Sequence, residues 1–267
     1  MNATSLPEEF RSYTGLGMVQ AYHPLRPMNR WGSLLFSLAL LAAAAIVLGY
    51  GVYEAYIWSV RNGPIMIQDK LPGPAIIAVI LFVLSMIIGW SALASWHKSV
   101  AVYERGLVAR DRKGFQTWRW EDLDSMYTAV TRHYTNGIYT GTSHVYTLVD
   151  AQGKRLVLND AYIHVEDLAR LIDLKTMPIL YERASNRYNA GEALLFGPVA
   201  INKTGLTFGR KSYPWSEVKQ VSISRGILKV AKKDGGWFSG ASVTVSTIPN
   251  LRVLLSIIDQ IVGIKAA

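Results

Sequence analysis

Two uncharged apolar runs, Trp31 to Tyr53 and Leu71 to Trp96, constrain this chain more than anything else in it. A hydrocarbon layer about 30 Å thick is crossed by about 20 helical residues, and each run supplies that many. The first is rich in Leu and Ala. It carries Trp31 at one end and Tyr50 and Tyr53 at the other, as anchors at headgroup level do. A buried core helix would show a polar face, and a signal peptide a shorter apolar segment. The second run opens with Pro72 and Pro74, where a missing N–H costs least. It closes with Trp90, Trp96, His97 and Lys98. The pair reads as a transmembrane helical hairpin, about 31–53 and 72–96, joined by a short polar loop from Glu54 to Lys70. Residues 1–30, with Pro7, Pro24, Pro27, Gly15 and Gly17, read as a mostly extended tail.

Charge orients the hairpin. The loop holds two cations, Arg61 and Lys70, against Glu54 and Asp69. The other side holds Arg11, Arg26 and Arg30 before the first run and Lys98, Arg105, Arg110, Arg112 and Lys113 after the second. Cations gather on the cytoplasmic side, so both termini are expected in the cytoplasm, at the plasma or inner membrane. Neither span contains a charge, so neither suggests a transport path.

The formal net charge of +9 is uneven. Residues 194–267 hold 10 Lys and Arg against 3 Asp and Glu, while residues 98–193 are almost neutral. A basic face points to anionic partners. The chain has no cysteine, which excludes a disulfide framework, a thiolate metal site and a thiol nucleophile.

After the hairpin the sequence repeats itself. Val100-Ala-Val-Tyr-Glu-Arg-Gly106-Leu-Val-Ala109 returns in register as Val199-Ala-Ile-Asn-Lys-Thr-Gly205-Leu-Thr-Phe208. Trp120-Glu121-Asp122-Leu123 returns as Trp215-Ser216-Glu217-Val218. Each copy gives a strand, a Gly-Leu corner, a second strand and a Trp-x-acid-apolar step in that order. In the first copy Asn136-Gly137 marks a two-residue hairpin turn. Ser143–Val149 and Arg155–Asn159 read as strands, and a helix is expected from about His164 to Lys175. In the second copy Val218–Ser224 and Ile227–Ala231 pair around Arg225-Gly226, and Trp237–Val245 contains strand sequence. A final helix runs from Asn250 to Val262, with Asn250 as its N-cap. Residues 178–193 read as a linker whose first part is helical.

Several strands followed by one closing helix, in a unit of 70–100 residues, resemble a pleckstrin-homology-like (PH-like) barrel. The phrases Val102–Val108, Trp120-Glu121-Asp122, Asn136-Gly137 before Tyr146-Thr147-Leu148, Phe196-Gly197-Pro198 and Ile248-Pro249-Asn250-Leu251 carry the likeness. The chain resembles an uncharacterised family of two-transmembrane-helix proteins with a tandem PH-like body. The resemblance implies a membrane α-helical hairpin plus an α+β body. That body would be two PH-like antiparallel β-barrel or sheet repeats at 98–177 and 194–264, each closed by a C-terminal helix. It implies no activity.

Candidate chemistry is sparse. The five histidines show no metal spacing, although His133 and His144 are expected to approach across a hairpin. Glu121, Asp122 and Asp124 read as an acidic step whose carboxylates satisfy turn N–H groups, more simply than as a cation site. Trp118, Trp120 and Trp215 read as core. No phosphate-cradling glycine loop, zincin helix or nucleophile elbow appears, so no catalytic residue, metal or cofactor is expected. The remaining candidate is the basic set Arg210, Lys211, Lys229, Lys232 and Lys233, with Lys219 and Arg225 nearby. It is either a face for anionic lipid headgroups, at about 1 kcal/mol per cation near such a surface, or a solvated surface. The expected function is a membrane-anchored, cytoplasm-facing binding or scaffolding protein. Its partners would be the bilayer itself, anionic headgroups at the second repeat and a protein at the first; nucleic acid is not expected. The alternatives are an accessory subunit of a larger membrane assembly, for which Ala42, Ala45 and Gly49 offer close helix approach, and, third, an enzyme.

Overall fold

The computed structural model describes residues 6–233 and 240–262. The chain divides into two units. One comprises residues up to His23, Val100–Ala109 and everything from Thr117 onward; the other comprises Pro24–Ser99 and Arg110–Gln116.

The second unit is the helical hairpin. Helix α2 spans Ser33–Asn62 and α4 spans Pro72–Ser95, with the short α3, Met66–Lys70, between them. At 1.5 Å per residue these are about 45 and 36 Å long. The segment read as a polar loop is largely helical: α2 runs past Tyr53 through Glu54-Ala-Tyr-Ile-Trp-Ser-Val-Arg61 and stops at Gly63, φ +100°. These residues favour helix, and only the Gly63-Pro64 pair breaks it. The two helices meet through small residues at seven-residue intervals: Ser37, Ala44 and Gly51 on α2, Ala78, Ser85 and Ala92 on α4. Ser37 donates to the Ser85 carbonyl at 2.9 Å and Ser85 to that of Ser37 at 2.8 Å. A Cβ on Gly51 would stand 2.4 Å from Pro74. Both helices are long and apolar enough to cross a membrane, yet only 11% and 17% of their most apolar stretches are buried. Their large side chains, Leu35, Phe36, Ile46, Ile76, Phe82 and Ile87 among them, face outward.

The first unit is α+β, with two copies of one plan. In the first copy β1 (Val19–Pro24), β2 (Ser99–Tyr103), β3 (Gly106–Asp111) and β4 (Gly114–Arg119) form one sheet in that order. A turn at Trp120–Asp122 leads to a second sheet of β5 (Leu123–Thr135), β6 (Ile138–Asp150) and β7 (Arg155–Asn159), and then to helix α5, Val165–Asn189. The second copy has β8 (Leu194–Phe196), β9 (Val199–Ile201), β10 (Gly205–Phe208) and β11 (Lys211–Pro214), a turn at Trp215–Glu217, then β12 (Val218–Ser224), β13 (Ile227–Lys232) and β14 (Ala241–Thr244), and α6, Leu251–Val262. The four sheets are antiparallel and, among the described residues, none closes into a barrel. Trp237 to Ser239 of the expected last strand lie outside the described residues.

The repeated phrases mark repeated contacts. The Trp120 and Trp215 amides donate to the carbonyls of Arg105 and Thr204. The carbonyls of Asp122 and Glu217 accept from Ala151 and Lys233. Gly106 and Gly205 lie where a Cβ would stand 2.2 and 2.4 Å from the carbonyl oxygens of Trp118 and Tyr213, so no side chain fits. Each closing helix is preceded by a left-handed residue, His164 at φ +53° and Asn250 at φ +49°.

Two sequence expectations change. The described part of the segment read as a mostly extended tail, from residue 6 on, is packed against the body. Besides the short helix α1 (Glu8–Arg11) it supplies β1, so β1 answers β8, and the helical hairpin is inserted in the chain between the first two strands of the first copy. Phe10 and Leu16 pack on Ala101, Tyr103 and Val108, the Tyr103 hydroxyl donates to the Phe10 carbonyl, and every residue of β2 is buried. Burial and the nearby Tyr13 push the Tyr103 hydroxyl up to about 12. Nor is there a separate linker at 178–193, because α5 continues through Pro178 to Asn189. Pro178 has no N–H to give the Leu174 carbonyl, and Leu174 lies on an exposed side of the helix.

The buried N-terminal segment can be tested in two ways. Phe10→Ala is expected to cost about 3–5 kcal/mol in denaturant unfolding of the full chain, whereas a loose tail would give no change. His23 is buried and donates from Nδ1 to the Ile163 carbonyl at 2.9 Å. Burial lowers its pKa from the ordinary 6.5, outweighing the bond to Ile163. The folded state therefore binds fewer protons than the unfolded one, and stability rises with pH across the window between the lowered value and 6.5. The stability lost on acidification through that window is expected to shrink in His23→Gln, measured as melting temperature against pH.

Candidate functional site

The five basic candidates are exposed or partly so but do not converge. Arg210 and Lys211 stand at the β10–β11 turn, where Gly209 has φ +55°. Lys229 projects outward from the middle of β13 with Ser222 and Ser242 as its cross-strand neighbours. Lys232 Nζ lies 3.0 Å from Glu217 Oε2 and 5.4 Å above the Tyr213 ring, so its charge is partly neutralised. Lys233 is exposed, and its amide donates to the Glu217 carbonyl.

The histidines do not pair either. His144 lies opposite Val130 and His133 opposite Gly141, and alternation puts them on opposite faces of the hairpin. His133 Nε2 meets Ser143 Oγ at 2.8 Å. His144 sits between Asp160, 3.1 Å from Nδ1, and Glu166, 3.4 Å from Nε2. Among the described residues no three His, Asp or Glu side chains are grouped to hold a metal. The acidic step acts through its main chain: the Glu121 and Leu123 carbonyls accept from Arg183, and that of Asp124 from Asn250. Trp118 and Trp120 are buried, and Lys154 Nζ lies 4.8 Å over the Trp118 ring.

What the sequence does not announce is a cleft where the two copies meet. It holds about 410 Å³, between β5 and β6 on one side and α5 with the start of α6 on the other. That lies within the usual range of about 300–1,000 Å³ for small-molecule sites. Its floor is apolar, with Met126, Met177, Leu180 and Val253. Glu166, Arg170 and Asp173 line its helical wall at i, i+4 and i+7, which is one face of α5. Arg252 on α6 is ion-paired with Asp173. Tyr146 stands at one end, its hydroxyl pKa raised by burial and by the Glu166 and Asp160 charges. The wall thus offers both signs of charge over an apolar floor, which suits an amphipathic ligand or peptide carrying both a cation and an anion.

Asn250 sets the width of this cleft. It is not the side-chain cap of α6. Its Oδ1 accepts from the Met126 amide at 2.9 Å, its Nδ2 donates to the Asp124 carbonyl at 2.8 Å, and its own amide donates to the Met126 carbonyl at 2.9 Å. It therefore ties the start of α6 to the edge of β5, and a second cavity of about 570 Å³ opens on its other side. An Asn between Pro249 and an amphipathic helix looks like a cap in sequence, and no local signal separates the two uses.

Fold and cleft define a class: a two-copy α+β body with an apolar helical hairpin inserted in its first copy. The model of DUF6585, a family of unknown function, matches residues 33–265, and the chain belongs to that family. A search of curated proteins finds no match.

Asn250→Ala would leave the Met126 amide and the Asp124 carbonyl without their partners. A loss of about 1–3 kcal/mol is expected, read from denaturant unfolding. Faster hydrogen exchange should be confined to the first residues of β5 and the first turn of α6.

Proposed function

We propose that this protein is a membrane-anchored, cytoplasm-facing binding or scaffolding module with a tandem PH-like body. The observation that carries the reading is the apolar surface of α2 and α4, which their own small-residue seam leaves almost wholly unburied. A soluble protein does not expose contiguous apolar surface of that extent, and a lipid bilayer is the solvent that removes the cost. Aromatic and cationic side chains at the hairpin ends fit two headgroup layers. Trp31 and Trp96 meet edge to face with centroids 5.0 Å apart, and Arg112 lies 4.6 Å over Trp90. Towards the α2–α4 connection Lys70 lies 4.8 Å over Trp58. The PH-like reading of the body draws support from its count in each copy: a sheet of four strands, a sheet of three and one closing helix. On this reading the cleft beside Asn250 is the ligand site of the body, and the exposed Arg210, Lys211, Lys229 and Lys233 face anionic headgroups.

A second reading, an accessory subunit of a larger membrane assembly, is favoured by one feature. Ala42, Ala45 and Gly49 lie outside the intramolecular seam and are exposed, with open space where a Gly49 Cβ would stand.

With no native cysteine, single-cysteine labelling reads the topology directly. In intact cells Asn62→Cys is expected to react with a membrane-impermeant maleimide, and Gln152→Cys only after permeabilisation; the reverse pattern would overturn the orientation. Extraction of the full chain by alkaline carbonate would overturn the anchoring itself. For the headgroup contact, hydrogen exchange at the β10–β11 turn should slow in nanodiscs containing phosphatidylglycerol relative to phosphatidylcholine alone. Equal rates would remove that part of the proposal.

A further inference from the structure

The two copies differ most in one place. In the second, β12 and β13 have 7 and 6 residues and stay within their sheet. In the first, β5 and β6 have 13 each. Both pairs close through the same kind of turn: Asn136 and Gly137 at φ +51° and +80°, Arg225 and Gly226 at φ +52° and +72°. The shorter pair shows how much hairpin the fold needs. The surplus in the first copy is a two-stranded ribbon that serves neither core: every residue from Val130 to Thr140 is exposed. Isolated two-stranded ribbons are marginal in water, so a ribbon of this length needs a use.

Beyond the Val245–Thr247 turn, which flanks β5 near Tyr127 and Ala129, its edge is open, and its direction can be read. The amide and carbonyl of Met126 both bond to Asn250, so they point away from β6. No register shift occurs between Ser125 and His133. With a period of two, the amides and carbonyls of Thr128, Val130 and Arg132 point the same way. The other side agrees: His144, opposite Val130, turns its amide outward to Asp160 Oδ2 at 2.7 Å. Asn250 and Asp160 thus cap the two edges at the base of the ribbon. Beyond Asn250, among the described residues, no hydrogen bond is made to the outward groups of Thr128, Val130 or Arg132. Natural edges are blocked by Lys, Pro, bulges or short strands. From Thr128 to His133, short of the register shift at His133/Tyr134, this one has neither Lys nor Pro and is rich in β-branched residues.

We propose that this edge pairs with the same edge of a second copy of the chain, antiparallel about Val130. The register is self-complementary. Val130 faces Val130 of the second copy and Thr128 faces Arg132, so the ribbon's only full charge, Arg132, never meets its like. The ladder ends on both sides where Asn250 already occupies Met126. Val130, Tyr134 and Tyr139 share one face of the ribbon, with the two tyrosine rings edge to face at 5.9 Å. Pairing lays the two strips side by side on one face of a four-stranded sheet. The inference does not depend on lipid binding or on the topology proposed above.

The test uses the full-length, naturally cysteine-free chain in its native membrane. In an antiparallel pair about Val130 the two Val130 Cα atoms stand about 5.5 Å apart. The ribbon tips point oppositely, on the order of 35 Å apart at about 3.4 Å per residue. A short bismaleimide is therefore expected to give a covalent dimer with Val130→Cys and none with Ile138→Cys. Val130→Pro removes an amide that gives nothing to β6, and Val130→Lys adds a charge to the edge. Both should be monomeric by mass photometry with an unchanged circular dichroism spectrum, against a dimeric parent. A dimer linked through Ile138→Cys would mean association by the tips and would overturn the pairing. So would a monomeric parent, a dimer persisting in both Val130→Pro and Val130→Lys, or Val130→Cys crosslinking only to a different protein.

Discussion

One helix serves two cores. The first half of α5 puts Val165, Leu168 and Ile172 into the first copy, all almost fully buried. Its second half puts Leu180 into the second copy's core, with Met177, Tyr181 and Ala184 packed against it. A helix of 25 residues is about 38 Å long and turns through a fixed angle per residue, so packing one half fixes the direction of the other. Further bonds hold that choice: Tyr181 to Gln260 at 2.7 Å, the Arg252–Asp173 pair, and Arg183 on the carbonyls after Trp120. The cleft beside Asn250 is a consequence. It is the gap left when a sheet edge and a helix start are spaced by a rigid strut, and its polar wall is the strip of α5 that neither core uses.

The helical hairpin is held differently. Within it, close approach is made by removing side chains rather than by filling space. Ser37 meets Ser85, the two buried serines satisfy each other, and Gly51 lies against Pro74 where no side chain fits, while Ala44, Ala78 and Ala92 are buried along the same seam. In water such a seam would stabilise little, since it hides little apolar area and leaves the Leu, Ile and Phe side chains outside. In lipid the outward residues carry no penalty and backbone proximity supplies dispersion. The same composition that leaves the helices little to bury in a soluble core is the one that lets their backbones approach closely.

Local signals were legible in the sequence, and long-range ones were not. The Trp-acid steps, the Gly-Leu corners and the Asn136-Gly137 turn each encode a contact within one copy, and each recurs at its counterpart. Strand β1 was hidden for two reasons. Val19-Gln-Ala-Tyr-His-Pro24 alternates weakly, and its partner β2 lies beyond the whole hairpin in sequence. The continuity of α5 was masked by Pro178, a residue that usually kinks or ends a helix but here lies inside one. The cleft was invisible because its key residue, Asn250, sits where a cap is expected and bonds instead to a strand more than a hundred residues away. The basic set was legible as composition only: charge can be counted in a sequence, but its division between a β10–β11 turn, a β13 face and the Glu217 pair cannot.

The duplication also shows where two copies of one plan agree and where they differ. The contacts that build the plan are kept in register: the Trp amides, the glycines that admit a carbonyl, and the left-handed residue before each closing helix. What differs lies outside that set. The first copy takes its opening strand from before the hairpin, buries the outer face of β2 under Phe10 and Leu16, and lengthens its central ribbon. The second closes its opening strands with Gly197 and Pro198 alone, leaves Ala200 half-covered, and concentrates positive charge. Parts of a duplicated fold that can change without loss of the core are those the core does not need. The long ribbon and the basic turns belong to the part of the plan that the cores do not use, while the Trp steps belong to the fold itself.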